Sequence, residues 1–265
     1  MRRPALAAAA LALASAVPAR ADLAEIKQRG TLRVMAVLAS KTGDDFFSPS
    51  AGGTPGFDRE ILEGFASLQR VTLEVVPVAS WDALVPALLA GKGDVIAGRV
   101  TVTESRRKLI EFTSEVFPTR HVVFTREPHR VVATVGQLRE EKVGTVRGTS
   151  MAEVIAQAGV PPARVDDGVP TGTLPQALKD GRVTAAVLGV ENVMAAQRRD
   201  PALQIGMFLG PPGSLAYGVR KGEPALLSAL SAYVDNFRRG PAWNRLVVKY
   251  MGEKAPEVLR RARAE

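Results

Sequence analysis

The chain has 265 residues, of which 46% are hydrophobic and 23% charged, with 24 Gly, 18 Pro, no Cys and a formal net charge of +8. This composition is typical of a globular protein and excludes disordered and fibrous chains, while the absence of Cys excludes a disulfide framework. The length allows either one large domain or two lobes of about a hundred residues each.

The first 21 residues predict a signal peptide. Met1-Arg-Arg is a cationic start, an apolar run follows from Ala5 to Val17, and Ala19-Arg20-Ala21 fits the small-x-small rule for cleavage after Ala21. The apolar run is too short for a membrane span, which needs about 20 residues. We therefore expect a periplasmic protein, and cleavage would leave a net charge of +5, because the leader contains three arginines and no acidic residue.

Beyond the leader, predicted strands and helices alternate. Apolar periodicity and turn residues predict strands at residues 31–38, 71–78, 94–96, 121–125, 142–146, 183–188 and 215–220. The same signals predict helices at residues 23–28, 59–68, 84–89, 149–158, 173–179, 191–197 and 224–250. Repeated βα units indicate an α/β fold with a parallel or mixed sheet covered by helices.

The sequence lacks the residues that several kinds of catalytic or binding site require. His121 and His129 are the only histidines, and no metal-binding types stand at ligand spacing, so we expect no metal and no cofactor. The chain has no nucleophile elbow and no dinucleotide-binding glycine motif. Its basic residues concentrate near the C-terminus with few aromatic residues among them, which predicts a solvated face and no nucleic-acid partner. Weak electrostatic contact of that face with a membrane stays open.

A series of motifs follows in order along nearly the whole mature chain. They are Arg29-Gly-Thr-Leu-Arg-Val34, Gly56-Phe-Asp58, Trp81 with the segment Leu84 to Ile96, Thr101-Val-Thr-Glu-Ser-Arg106 with Ile110-Glu-Phe-Thr-Ser114, Val143-Gly-Thr-Val-Arg-Gly-Thr-Ser150 and the segment Ala177 to Val187. Together they resemble family 3 extracellular solute-binding proteins, the periplasmic receptors of polar amino acid ABC importers. The resemblance implies an α/β, two-lobed type II periplasmic-binding fold with two crossover strands and a central ligand cleft.

The resemblance also implies a division of the chain. Lobe 1 would comprise residues 22–126 plus 215–265 and lobe 2 residues 127–214, with the chain crossing near residues 121–126 and returning near 215–220. The implied protein is a monomeric binding protein and no enzyme. It would hold a small carboxylate-bearing solute, an amino acid or a more anionic organic acid, and deliver it to an ABC permease in the inner membrane.

Arg106 is the residue that the resemblance makes the clamp for the ligand's α-carboxylate. The planar guanidinium matches a carboxylate bidentately, although Arg106 would otherwise be a solvated surface residue beside Arg107. Thr149 and Ser150 open a predicted helix whose N–H groups and dipole would meet the same carboxylate, and they would also serve as caps. The resemblance adds Gly98 and Thr101 as neighbouring contacts and Phe46 or Phe47 as an aromatic wall, whereas Trp81 is expected to pack within lobe 1.

One departure from the family pattern concerns the ligand's ammonium group. Related amino acid receptors have an Asp after the lobe-two strand, where this chain has Gly189. Glu191 follows two residues later, with its direction left open. We expect Gly189→Asp to improve binding of α-amino acids if the missing Asp limits it.

A second departure adds positive charge. Arg99 and Arg147 stand where the family usually has neutral residues, and buried cations need anions opposite them. If both reach the cleft, the ligand would be a dicarboxylate, an oxo-acid or an acidic amino acid. The alternative is that Arg99 pairs with Asp44, Asp45 or Glu104.

Two other functions stay open. The family resembles periplasmic cyclohexadienyl dehydratase, which uses a lobe-two Glu as an acid, but Asn192, which is not an acid, stands at the aligned position and counts against an enzyme. The chain could instead be an accessory protein, similar to the binding lobes of sensor kinases or of lytic transglycosylase F.

Overall fold

The computed structural model describes residues 22–38, 46–48 and 54–264. Two five-stranded sheets with helices around them form the two halves of the molecule, which confirms the expected α/β class. The first sheet has the spatial order β2 (Thr72–Pro77), β1 (Thr31–Ala36), β3 (Val95–Ile96), β10 (Gly218–Arg220) and β4 (Ile110–Phe112). The second has the order β7 (Val165–Asp166), β6 (Val143–Gly144), β8 (Ala185–Gly189), β5 (Phe117–Arg126) and β9 (Leu203–Leu215).

Helices connect and cover the strands. They are α1 (Leu23–Arg29), α2 (Phe57–Gln69), α3 (Leu84–Leu89), α4 (Glu104–Arg107), α5 (Val135–Glu140), α6 (Ser150–Gln157), α7 (Leu174–Lys179), α8 (Val190–Gln197), α9 (Pro224–Arg239), α10 (Pro241–Met251) and α11 (Ala255–Ala264). The first of them ends where the sequence predicts, because Gly30 adopts a left-handed φ of 76° and its N–H caps the last turn.

Both sheets have a parallel centre. β1 pairs in parallel with β2 and β3, and β6 does so with β7 and β8. The residues of β1, β3, β6 and β8 are mostly apolar and buried, as parallel strands covered on both faces require. β3 and β8 end directly before turns or helices that face the other half, and ligand sites in such folds form beyond the carboxyl ends of strands.

The chain passes between the sheets earlier than the sequence suggests. β4 belongs to the first sheet and β5 to the second, so the passage lies between Phe112 and Phe117, and the return lies between Leu215 and Gly218. Residues 121–126, expected at the crossover, pair instead with β8 and β9. α10 and α11 also contact α8, so the C-terminal segment touches the second half as well as the first. The lobe division of 22–126 plus 215–265 and 127–214 stays a proposal.

Sequence patterns missed six elements, the short α4, α5, β4 and β7 together with the longer β9 and α11. β9 contains Gly210-Pro-Pro-Gly213, which normally indicates a turn, but β9 lies at the edge of its sheet and the two prolines fall in an irregularity of its pairing with β5, where proline is tolerated. α11 is rich in arginine, yet Ala255, Leu259 and Ala262 form its buried stripe. The predicted leader, residues 1–21, lies outside the described residues, and none of the described helices is long and apolar enough to span a membrane.

Candidate functional site

Buried polar groups meet between the two sheets. The first half contributes the turn after β3 and the start of α2, and the second half contributes the starts of α6 and α8 and one end of β5. Hydrogen bonds join the halves here, since Ser150 Oγ donates to Thr101 Oγ1 over 3.2 Å and Arg99 Nη1 donates to Asn192 Oδ1 over 2.8 Å. We refer to the space around these contacts as the cleft.

A tight turn at Gly98 and Arg99 forms one wall of the cleft. Both residues have left-handed φ values, 85° and 70°, which costs little for Gly98 and is uncommon for Arg99. Asp58 holds the turn, because its Oδ2 accepts the backbone N–H groups of Gly98 and Arg99 over 3.1 and 3.0 Å. The Tyr217 hydroxyl donates to the other carboxylate oxygen over 3.2 Å. The turn thus directs the Arg99 side chain across the cleft.

The Arg99 guanidinium lies against two aromatic rings. Its Cζ is 4.9 Å from the ring centroid of Phe46 and 5.9 Å from that of Trp81, both within the range of cation–π attraction. Trp81 reaches the second half itself, since its Nε1 donates to Thr171 Oγ1 over 3.3 Å. Trp81 also packs against the apolar cluster around Leu84 in the first half, as expected from the sequence. The sequence left open whether Arg99 reaches the cleft, and in the structure its guanidinium lies there.

Glu191 folds back over Gly189. A Cβ atom at position 189 would lie 2.7 Å from Glu191 Cδ, a distance that real Cβ atoms do not reach, so the glycine provides the space for this carboxyl group. The Thr119 hydroxyl donates to Glu191 Oε2 over 2.5 Å, and Asn192 Nδ2 donates to Oε1 over 2.7 Å. The sequence left the direction of the Glu191 side chain open. In the structure its carboxyl group fills the space beside Gly189, where related receptors have the Asp side chain.

Burial shifts the protonation of three groups around the cleft. It raises the pKa of Asp58 to about 6, against the lowering effect of the Arg99 N–H bond. It raises the pKa of Glu191 to about 7, although the Thr119 hydroxyl and the Arg99 charge oppose the rise. Burial also lowers the pKa of His121 to about 4, which keeps this imidazole neutral at pH 7.

The start of α6 faces Thr101. Ser150 is buried, and its hydroxyl lies 2.9 Å from His121 Nε2, while Thr149 precedes the helix and donates from its hydroxyl to the Val146 carbonyl over 2.6 Å. Thr149 makes no side-chain cap, so the first N–H groups of this eight-residue helix point toward the cleft without a cap from it. An anion would be favoured at this end.

Arg106 lies beside that helix start. Its Nη1 donates to the Thr101 carbonyl over 2.8 Å, and burial lowers the pKa of the guanidinium while the Glu153 charge opposes the change. Among the residues that the structure describes, no carboxylate forms an ion pair with Arg106. A half-buried guanidinium with four further N–H donors suits a bidentate carboxylate.

The remaining sequence-predicted residues divide between the core and the surface. Phe47 is buried in the core of the first half, and Phe46 packs against Phe57 with ring centroids 6.1 Å apart while also meeting Arg99. Arg147 does not reach into the cleft. It is exposed and forms a bidentate pair with Asp167 over 2.8 and 2.9 Å, because a surface carboxylate is nearer than the buried groups.

Sequence reasoning missed four polar residues of this cluster. Asp58 appeared only within a motif, and His121 was interpreted as an ordinary strand residue. Thr119 lies two residues before His121 and therefore on the same face of β5, which the two-residue period of strands could have indicated. Asn192 was noted only as the residue at the position of the dehydratase glutamate, and its role here depends on contacts from both halves. No cluster of metal-binding side chains occurs within the described ranges.

A family model describes this architecture. Residues 43–253 match the bacterial extracellular solute-binding proteins, family 3. The chain belongs to this family. A "Probable histidine-binding protein" of Neisseria gonorrhoeae is 25% identical to this solute-binding protein over 218 residues, which are 80% of each chain.

A solved structure and a longer relative complete the comparison. The crystal structure of a mutant of ArgBP from T. maritima superposes with a TM-score of 0.76 and 26% identity, covering 87% of this solute-binding protein and 99% of that chain. A "Membrane-bound lytic murein transglycosylase F" of Desulfosudis oleivorans is 24% identical over 238 residues, which are 86% of this chain and 50% of the relative. The chain thus spans about half the length of that relative, and the family includes both binding proteins and enzymes.

Proposed function

We propose that the mature chain is an exported, monomeric receptor that binds an α-amino acid between its halves and delivers it to an ABC permease of the inner membrane. The position of the Arg106 guanidinium is the observation that carries this proposal. The guanidinium donates to the carbonyl of Thr101, whose hydroxyl accepts from Ser150 at the start of α6, and no carboxylate of the described residues pairs with it. An α-carboxylate placed between the guanidinium and this helix start would take donors from Arg106 and from the backbone of Ser150.

Glu191 would serve the other end of the ligand. It is buried beside the Arg99 and Asn192 contact, and burial raises the pKa of its carboxyl group to about 7. An incoming ammonium group would favour the ionised form and release the proton. This arrangement supports a zwitterionic ligand with a carboxylate and an ammonium group.

The charge balance also favours an amino acid over a more anionic acid. The case for an extra negative charge depended on Arg99 and Arg147 both facing the cleft without acids. Arg147 is paired with Asp167 at the surface, and the two buried carboxyl groups of Asp58 and Glu191 lie on the Arg99 side of the cleft. A dicarboxylate is therefore not required for electrostatic balance.

Isothermal titration calorimetry tests the proposal. The mature chain, freed of solute by unfolding and refolding, is titrated with a panel of amino acids, dicarboxylates and oxo-acids. Arg106→Ala should weaken amino acid binding about 30-fold or more, because a buried charge-paired contact contributes roughly 2 kcal/mol or more. Arg107→Ala, whose side chain is exposed, is the matched control. Equal affinity of Arg106→Ala and wild type would contradict the assignment of the carboxylate site.

Glu191 favours a second candidate function. A buried carboxyl group with a pKa of about 7 has the property of a general acid, and the cyclohexadienyl dehydratase that the family resembles uses a lobe-two Glu. Asn192 stands at the aligned position, so Glu191 would have to take that role from one residue earlier. Release of phenylpyruvate from prephenate by wild type, and its loss in Glu191→Gln, would establish this function in place of binding alone.

A further inference from the structure

Arg99 occupies the part of the cleft that is best suited to a cation. The features that attract a guanidinium there are the faces of Phe46 and Trp81, at 4.9 and 5.9 Å from Cζ, and the amide oxygen of Asn192, at 2.8 Å from Nη1. Aromatic faces and a carbonyl oxygen are also what a ligand with a basic side chain would use. In this protein the Arg99 side chain itself occupies the position between Phe46 and Trp81.

The position of Arg99 is fixed from both ends. Asp58 accepts the backbone N–H of Arg99 over 3.0 Å and holds the residue at a φ of 70°. At the other end, the Asn192 amide accepts from Arg99 and donates to Glu191 over 2.7 Å, which links the guanidinium to the carboxyl group proposed for the ligand ammonium. A fixed cation cannot move aside for a ligand as a surface arginine would.

We infer that Arg99 is a specificity-determining residue, which occupies the cation place between Phe46 and Trp81 and restricts the receptor to α-amino acids with non-basic side chains. This inference rests on the proposed amino acid binding. A ligand arginine or lysine would meet a like charge in a half-buried part of the cleft, where repulsion is stronger than at an open surface. Amide or carboxylate side chains would instead accept hydrogen bonds from the guanidinium. The relatives named for histidine and arginine would then differ from this chain in the ligand class.

Calorimetric titration of the refolded mature chain with L-glutamine, L-glutamate, L-arginine and L-lysine tests the inference. Wild type should bind glutamine or glutamate at least about tenfold more tightly than either basic amino acid. Arg99→Ala should open the place and improve affinity for arginine at least about tenfold over wild type. Arg99→Gly provides a second variant, because glycine adopts the left-handed φ of this turn without strain.

Arg120→Ala is the matched control. The Arg120 guanidinium also lies over an aromatic ring, 5.3 Å from the centroid of Phe208, but it bonds to the Gly210 carbonyl and lies near α11, away from the cleft. This variant should keep the ligand preference of wild type. A gain of arginine binding in Arg120→Ala equal to that in Arg99→Ala would overturn the inference.

The outcomes separate the inference from the proposed function. Tight binding of arginine or lysine by wild type overturns the inference and leaves amino acid binding intact. The same holds if both Arg99 variants keep glutamine binding and gain none for the basic amino acids. If wild type binds no amino acid at all, the proposed function fails, and the inference fails with it.

Discussion

Replacing Gly189 with aspartate should destabilise this protein, although related receptors have an aspartate at that position. The first atom of the new side chain would lie 2.7 Å from Glu191 Cδ, so the Glu191 side chain has to leave its place. Its hydrogen bonds from Thr119 and Asn192, at 2.5 and 2.7 Å, would then be lost. We therefore expect Gly189→Asp to weaken amino acid binding, the opposite of what the missing Asp alone would suggest.

The magnitude follows from the two lost hydrogen bonds. Bonds to a charged group contribute about 1.5–3 kcal/mol each, and the new carboxylate recovers part of this, so we expect a loss of about 3 kcal/mol in the free energy of unfolding. For a chain of this size the melting temperature should fall by roughly 6–12 °C. Differential scanning calorimetry at pH 8 measures the change, and titration with the best amino acid measures the accompanying loss of affinity.

Two further variants make the experiment specific. Gly136→Asp adds the same side chain at a position where the nearest atom to a new Cβ, Thr134 Oγ1, is 3.8 Å away, so its melting temperature should hardly change. The double variant Gly189→Asp with Glu191→Ala keeps one carboxylate in the space and should recover stability relative to Gly189→Asp, a coupling that a mutant cycle measures. A Gly189→Asp protein that melts and binds like wild type would refute the placement of Glu191 over Gly189.

Two other predictions concern protonation and closure of the cleft. Burial raises the pKa of Glu191 from 4.5 to about 7, so its contribution to stability is present below pH 4.5 and is lost as the pH rises through 7. Glu191→Gln should therefore gain on the order of 3 kcal/mol relative to wild type between pH 5 and pH 8, and equal unfolding free-energy differences at both pH values would contradict this shift. Gly148 has a φ of 76°, and a Cβ there would lie 3.0 Å from the Asp82 backbone nitrogen in the other half, so Gly148→Ala should weaken ligand binding and increase the radius of gyration in solution scattering. Gly181→Ala, at a φ of 69° with no atom within 4 Å, carries the same backbone strain and should leave both quantities unchanged; equal effects of the two substitutions would show that strain alone is responsible.

The sequence alone was enough to predict the α/β class, most of the helices and strands, and the family to which the chain belongs. These features depend on local signals, namely apolar periodicity, turn residues such as Gly30 and ordered motifs. The sequence also selected the segments around Arg99, Arg106 and Ser150, which the structure brings to the cleft. It failed for β9 and α11, because the tolerance of an edge strand for proline and the buried stripe of an arginine-rich helix depend on neighbouring elements.

Which charged groups face one another depends on the three-dimensional arrangement of the elements. Glu191 points toward the cleft because Gly189 leaves room and Thr119 lies on the adjacent strand. Arg147 is exposed and pairs with Asp167 at the surface. A charged side chain pairs with an oppositely charged or polar group that is close to it in the folded protein. Because that group often comes from a distant part of the chain, sequence spacing predicts the segment but not the direction of its side chains.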